Sequence, residues 1–111
     1  METISKAIKE YLNSNGKNPF RAWLESLKDT KARAKIRIRI NRIRLGNMGD
    51  YKSVGNGVYE LRIDYGPGYR IYFGEKGKIL VILLCGGNKR TQSSDIEKAQ
   101  GYWKDYKRRK K

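Results

Sequence analysis

Histidine is absent from the 111 residues, cysteine occurs once, proline twice, and acids number 11 against 26 lysines and arginines. Each scarcity removes a class of chemistry. With no histidine and only Cys85, zinc sites, Ser-His-Asp triads and Cys-His nucleophile pairs have no residues from which to be built. A lone cysteine forms no intramolecular disulfide. Its place in an apolar run makes Cys85 a small core hydrophobe rather than a reactive thiol, which fits a reducing cytosol. Charges recur every few positions from Met1 to Glu10, so the N-terminus reads as neither a signal peptide nor a membrane span. The chain therefore reads as a soluble, cytoplasmic protein with no membrane partner. The shortage of acids leaves a formal charge of +15, far more than solubility requires, and points to a polyanionic partner, nucleic acid first. A solvated basic surface with no ligand would leave that charge repelling itself.

The length suits one domain over residues 1–111. Ile4, Ala7, Ile8, Tyr11 and Leu12 have a spacing that suits a helix, and a short edge strand fits the same residues. Asn18 and Pro19 read as the N-cap and first residue of a helix over Phe20 to Leu27, with Trp23, Leu24 and Leu27 as its stripe. Residues 30–45 alternate like a strand at Ile36, Ile38 and Ile40, but the alternation fails at Asn41. As a helix, Ala32, Ile36, Ile40 and Ile43 line one face and Ala34, Ile38 and Leu45 the opposite one. That pattern predicts a helix between two apolar layers, ending at Gly46. Lys31, Arg33, Lys35, Arg37, Arg39, Arg42 and Arg44 lie on it with no acid among them, and such like charges oppose a helix unless an anion lies nearby.

Beyond Gly46 the pattern changes to strands at Tyr51 to Val54, Val58 to Tyr65, Tyr69 to Phe73 and Lys78 to Cys85, punctuated by glycines. Gln92 to Arg109 reads as a terminal helix with Ile96, Ala99 and Trp103 on one side, and a basic tail spans residues 104–111. The run Ile79 to Cys85 has no alternation, as in a strand covered on both faces. Gly86-Gly87 then reads as a turn from which Lys89 and Arg90 emerge. In the strand Val58 to Asp64, Tyr59, Leu61 and Ile63 share a face, and Glu60, Arg62 and Asp64 share the other. A tight Gly66-Pro67-Gly68 loop pairs Tyr65 with Tyr69 and Ile63 with Ile71, setting Asp64 opposite Arg70 and Arg62 opposite Tyr72. Arg62, Arg70 and Tyr72 then form a patch that Lys89 and Arg90 complete. Cross-strand ion pairing on a solvated face is the bland reading of that patch. The functional reading is phosphate binding, for which guanidinium forks are suited at any working pH.

The segments Tyr59-Glu60-Leu61-Arg62-Ile63, Gly66-Pro67-Gly68-Tyr69-Arg70-Ile71-Tyr72-Phe73 and Leu83-Leu84-Cys85-Gly86-Gly87-Asn88-Lys89-Arg90-Thr91-Gln92 resemble the RelE/ParE superfamily of toxins from type II toxin-antitoxin modules. The resemblance is to the branch of addiction module killer, or HigB-like, proteins. It implies an α+β fold: an antiparallel four- to five-stranded sheet, mixed at an edge, with two N-terminal helices packed on it and a C-terminal helix. It further implies a ribosome-dependent endoribonuclease that cuts mRNA without metal or other cofactor. The implied partners are the ribosome, mRNA and a cognate antitoxin, acidic or partly disordered and of helix-turn-helix type. By position the family's catalytic cations correspond to Arg62, Arg70 and Lys89 or Arg90. Two departures stand out. Ser94-Asp95-Ile96 occupies the stretch where RelE-type members carry a helix tyrosine, and the histidine that HigB members use is missing.

Attack of a 2′-hydroxyl on the adjacent phosphate needs orientation, stabilisation of a dianionic phosphorane and proton transfer. Arg62 and Arg70 suit phosphate binding and transition-state charge. Neighbouring positive charge favours the neutral form of an amine, so Lys89 is the candidate proton acceptor. Asp95, Glu60 and Tyr72 are the other candidates. Arg33, Arg37, Lys52, Tyr72, Lys104 and Lys107 are candidate RNA contacts. Two readings of other classes use the same basic surface: a ParE-like gyrase poison with no catalysis of its own, and a non-catalytic nucleic-acid-binding module.

Overall fold

A computed structural model of the chain describes residues 5–109. Its elements are β1 (Ala7–Glu10), α1 (Pro19–Ser26), α2 (Thr30–Arg44), β2 (Tyr51–Gly55), β3 (Val58–Ile63), β4 (Tyr69–Lys76), β5 (Leu80–Asn88) and α3 (Gln92–Arg109). One 3-10 turn, Lys89–Thr91, joins β5 to α3. The sheet runs β1-β5-β4-β3-β2, antiparallel throughout except that β1 lies parallel to β5. This is the α+β architecture expected, a mixed five-stranded sheet with two N-terminal helices and one C-terminal helix. Ile4 of the first expected stripe, and Lys110 and Lys111 of the expected tail, lie outside the described residues. Up to Arg109 that tail is helix.

The segment at the start is a strand rather than a helix. β5 presents a long row of backbone groups to whatever lies beside it, and residues 7–10 satisfy that row, with Tyr11 N donating to Leu83 O at 2.9 Å. A hydroxyl then secures the end of β1: Tyr11 Oη donates to Asp105 Oδ2 of α3 at 2.6 Å.

α1 starts as its sequence indicates. Asn18 Oδ1 accepts from Arg21 N at 2.9 Å and Pro19 occupies the first turn. Asp29 caps α2 in the same way, accepting from Lys31 N and Ala32 N. Ala32, Ile36, Ile40 and Ile43 are buried on Leu61, Ile63, Ile71, Phe73, Val81 and Leu83, so α1 and α2 share one face of the sheet. The opposite stripe of α2 has no second layer to meet among the described residues. Ile38 is 52% exposed and Leu45 67%. α3 takes the other sheet face, placing Ala99 and Trp103 on Val58, Tyr72, Ile82 and Leu84. A sheet covered on both sides explains the unalternating apolar run in β5.

Three glycines expected to punctuate strands lie inside them. β4 continues through Gly74 and β5 through Gly86 and Gly87. A Cβ at Gly74 would enter the Trp103 ring, one at Gly86 the Trp23 ring, and one at Gly87 the Asp95 carboxylate. The missing side chains are sockets for large groups from the covering helices.

Gly86→Ala is therefore expected to lower unfolding free energy by about 1–3 kcal/mol, the usual cost of overpacking. Gly101→Ala, where nothing lies within 4 Å, should gain roughly 0.5–1 kcal/mol from helix propensity; urea denaturation of both variants checks the contrast. The Tyr11–Asp105 contact gives a pH signature. Its hydrogen bond from Tyr11 and those from Arg109 and Arg108 hold the Asp105 carboxyl below its usual range. Its contribution is present above the ordinary aspartate value and is lost as pH falls through the lower folded value. Burial, then Asp105, raises the Tyr11 hydroxyl from 10.0 to about 12, so that end is intact below pH 10 and weakens between 10 and 12. Thermal melts across pH should show both flanks, and Asp105→Asn should flatten them.

Candidate functional site

The β3–β4 hairpin sets two arginines face to face. Arg62 is the direct ladder partner of Arg70, Glu60 of Tyr72 and Ile63 of Tyr69. The expected pairing of Arg62 with Tyr72 and Asp64 with Arg70 is thus displaced by one full pleat repeat. The connection runs from Asp64 to Gly68 and is closed by Tyr65 N to Ile63 O (2.9 Å) and Gly68 N to Tyr65 O (3.1 Å), a longer loop than the three residues expected. Tyr65 leaves the ladder, its ring under the Lys35 ammonium at 5.1 Å. Because a full repeat preserves the face, Glu60, Arg62, Arg70 and Tyr72 still share one side.

Like charges directly opposite each other destabilise a sheet, and here each arginine has its own carboxylate. Arg62 Nε lies 3.5 Å from Asp50 Oδ2. Arg70 Nε lies 3.4 Å from Glu60 Oε2, and Arg70 Nη1 donates to Gly68 O at 3.0 Å. Glu60 is fully buried. Its Oε2 accepts from Tyr72 Oη at 3.1 Å and from Gln92 Nε2, in the first turn of α3, at 2.8 Å. Glu60 Oε1 and Arg70 Nε have no hydrogen-bond partner among the described residues, so the Arg70 to Glu60 contact is an ion pair without hydrogen-bond geometry.

Where the strands end, the cations converge. A cleft of about 340 Å³ is lined by Asp50, Arg62, Ile63, Asp64, Gly68, Tyr69, Arg70 and Lys89. Lys89 reaches it because β5 does not turn at Gly86-Gly87. Pairing continues through Arg70 with Gly87 and Tyr69 with Asn88. Asn88 then turns the chain, its Oδ1 accepting from Arg90 N and Thr91 N while Thr91 Oγ1 accepts from Asn88 N. Arg90 lies one position further, exposed and outside the lining of the cleft.

The remaining sequence candidates separate. Tyr72, expected to face RNA, is fully buried under α3. Burial, then the Glu60 charge and hydrogen bond, drives its hydroxyl far above the ordinary tyrosine range. It is a neutral donor to Glu60, unsuited to taking a proton. Asp95 is also buried, its carboxylate over Gly87 and accepting from Thr91 Oγ1. Burial raises the Cys85 thiol to about 12, the inert state expected of it. Lys52 is exposed on β2, and Arg33 and Arg37 lie on α2 over one sheet face. Lys104 and Lys107 are on α3 over the other face, roughly 20 Å along the helix from Gln92 at 1.5 Å per residue; Lys107 Nζ sits 5.7 Å from the centre of the Trp103 ring. The outlying cations therefore form two basic surfaces, not one.

Asp50, Gln92 and the Gly68 carbonyl were not anticipated. A signal for Gln92 exists in the sequence. The stripe Ile96, Ala99, Trp103 requires α3 to cover a sheet face, and with α1 and α2 on one side the face left is that of Glu60, Arg70 and Tyr72. Among the described residues no group of three or more His, Cys, Asp or Glu is placed to hold a metal ion, and no helix is long and apolar enough to cross a membrane.

Residues 22–104 match the family described as Phage derived protein Gp49-like (DUF891). The chain belongs to the Gp49-like family. This is a RelE/toxin-like family, so the toxin resemblance of the sequence holds at that level, and a toxin-like family implies a cognate antitoxin. An uncharacterized protein of Haemophilus influenzae is 54% identical over 81 residues, covering 73% of this chain and 82% of its own length.

Tyr72→Phe is expected to lower stability by about 1–3 kcal/mol, because it takes a donor from a buried carboxylate. Any RNA affinity of the wild type should be unchanged at equal folded fraction. Paired denaturation and filter-binding measurements separate this from the direct contact that the sequence suggested.

Proposed function

We propose that this Gp49-like protein, in one domain spanning 1–111, is the toxin of a HigB-like toxin-antitoxin pair. In this reading it is a cytoplasmic, ribosome-dependent endoribonuclease that cleaves mRNA without metal. The observation that carries the reading is the convergence of Arg62, Arg70 and Lys89 on one cleft, with the two arginines directly opposed across the ladder. Two guanidiniums held against their own repulsion form a site that an entering phosphate stabilises.

In the reaction the 2′-oxygen forms a bond to phosphorus as the bond from phosphorus to the 5′-oxygen breaks. The products are a 2′,3′-cyclic phosphate and a 5′-hydroxyl. Arg62 and Arg70 hold the phosphate and its developing second charge. Lys89, on a capped turn beside them, accepts the 2′-hydroxyl proton as the free amine, water in the open cleft gives the departing 5′-oxygen its proton, and Arg90 at the rim adds positive potential. Arg33 and Arg37 on one side, with Lys52, Lys104 and Lys107 on the other, hold ribosomal RNA and message electrostatically. The antitoxin, an acidic helix-turn-helix protein, offsets that charge until it is removed.

Lys89→Ala leaves no buried charge unpaired and should reduce cleavage about 10²- to 10⁴-fold, the range for a lost proton-transfer group. Arg62→Ala should reduce it about 10²-fold. Arg70→Ala also abandons the buried Glu60, at about 3–5 kcal/mol, so it is read beside a thermal melt. The measurements are growth arrest and primer-extension stops on translated and naked mRNA. Full toxicity and normal cutting in folded Lys89→Ala and Arg62→Ala variants sink the proposal. DNA damage with translation spared assigns the protein to gyrase poisoning. RNA binding that is steeply salt-dependent but leaves RNA intact assigns it to the non-catalytic class.

A further inference from the structure

Glu60 lies where a carboxylate is most costly. It is fully buried on β3 beneath the first turn of α3, and one of its oxygens has no hydrogen-bond partner among the described residues. Burying a carboxylate is costly unless it is paired and hydrogen-bonded, so the groups around it define what it is for. They come from two further elements, Arg70 and Tyr72 from β4 and Gln92 from α3. Of these four side chains only Arg70 lines the cleft.

Apolar side chains of similar volume often hold a sheet and helix together as well as a buried ion pair does. What they do not do is aim a charge. The guanidinium is planar: the Gly68 carbonyl accepts from Nη1, and the Glu60 charge, 3.4 Å from Nε, draws the other edge inward as an ion pair. An arginine on a flexible stem would otherwise sample many rotamers, with Arg62 opposite driving it away.

We infer that Glu60 is a positioning residue: its buried carboxylate, clamped from α3 by Gln92, sets the Arg70 guanidinium at the wall of the cleft. The inference rests on the reading of that cleft as the RNA phosphate site. Glu60 touches no substrate. Gln92 makes the setting of Arg70 depend on how α3 is seated, so the site is assembled only when the terminal helix is docked.

The test uses the full chain, as wild type, Glu60→Gln and Gln92→Met. Glu60→Gln keeps the shape and an oxygen for Tyr72 but removes the charge opposite Arg70. Gln92→Met keeps the charge and removes the clamp. Three readouts are taken: the Nε–H NMR signal of Arg70, assigned by its loss in Arg70→Lys; the melting temperature; and kcat and KM on ribosome-bound mRNA. In wild type the Arg70 signal should be displaced from the free-arginine position. In folded Glu60→Gln it should collapse to that position while kcat falls about 10²-fold, as for a misplaced group, with KM little changed because the charge remains. Gln92→Met should move both in the same direction by less. An unmoved Arg70 signal or an unchanged kcat in folded Glu60→Gln overturns the inference. If Glu60→Gln does not fold, the Arg70 signal of Gln92→Met decides it: displacement toward free arginine supports it and no displacement refutes it. Wild type that cuts no RNA refutes the proposed function instead, while the Arg70 signals still decide whether Glu60 positions that side chain.

Discussion

A carboxylate without water must be surrounded by donors, and the donors must come from wherever the chain brings them. Around Glu60 they come from β4 and from α3, so one buried charge links the register of the hairpin to the seating of the terminal helix. Displacing β3 against β4 by one pleat repeat would take Tyr72 away from Glu60 and Arg62 away from Arg70. Undocking α3 would remove Gln92 and expose the group. Such polar constellations favour one arrangement of the core over near alternatives, because a buried charge that loses a donor is costly.

Much of the architecture was legible in residue patterns, and the failures have physical causes. The caps at Asn18 and Pro19, the buried stripe of α2 and the span Gln92–Arg109 follow from local chemistry, where a few residues decide the outcome. Residues 7–10 were ambiguous because an edge strand takes its identity from the partner strand, which lies some seventy positions later. The glycines misled for a related reason. Gly74, Gly86 and Gly87 look like breaks locally, and only the positions of Trp103, Trp23 and Asp95 show them to be clearances for packing. Reading Gly86-Gly87 as a turn still placed Lys89 beside Arg70, because the strand's extension carries it there. For the site, face parity identified the side shared by Glu60, Arg62, Arg70 and Tyr72. Face parity alone did not show that α3 roofs Glu60, Arg70 and Tyr72, for which the Ile96, Ala99 and Trp103 stripe is the signal, nor that Arg62 is left half-exposed.

The charge of the chain divides in the same way. α2 presents one basic surface above its sheet face and α3 another beneath the opposite face, with the cleft where the hairpin loop meets the end of β5. Arg62 and Lys89 lie at the rim of the sheet between the two surfaces. In the proposed function, long-range attraction and local chemistry are thus assigned to different residues: the helices to the field, and the strand ends to the geometry.

The parallel pairing of β1 with β5 has a consequence for synthesis. The first strand has no partner until the fifth has been made, so residues 7–10 wait while the intervening chain is polymerised, and their contact carries a large loop-closure cost. Gln92 and Lys89 emerge later still. A nascent chain therefore carries all of α2's positive charge well before it owns a finished cleft. Vectorial production orders charge ahead of geometry: α2 is complete at Arg44, and Lys89 and Gln92 follow only after β2 to β5 have been made.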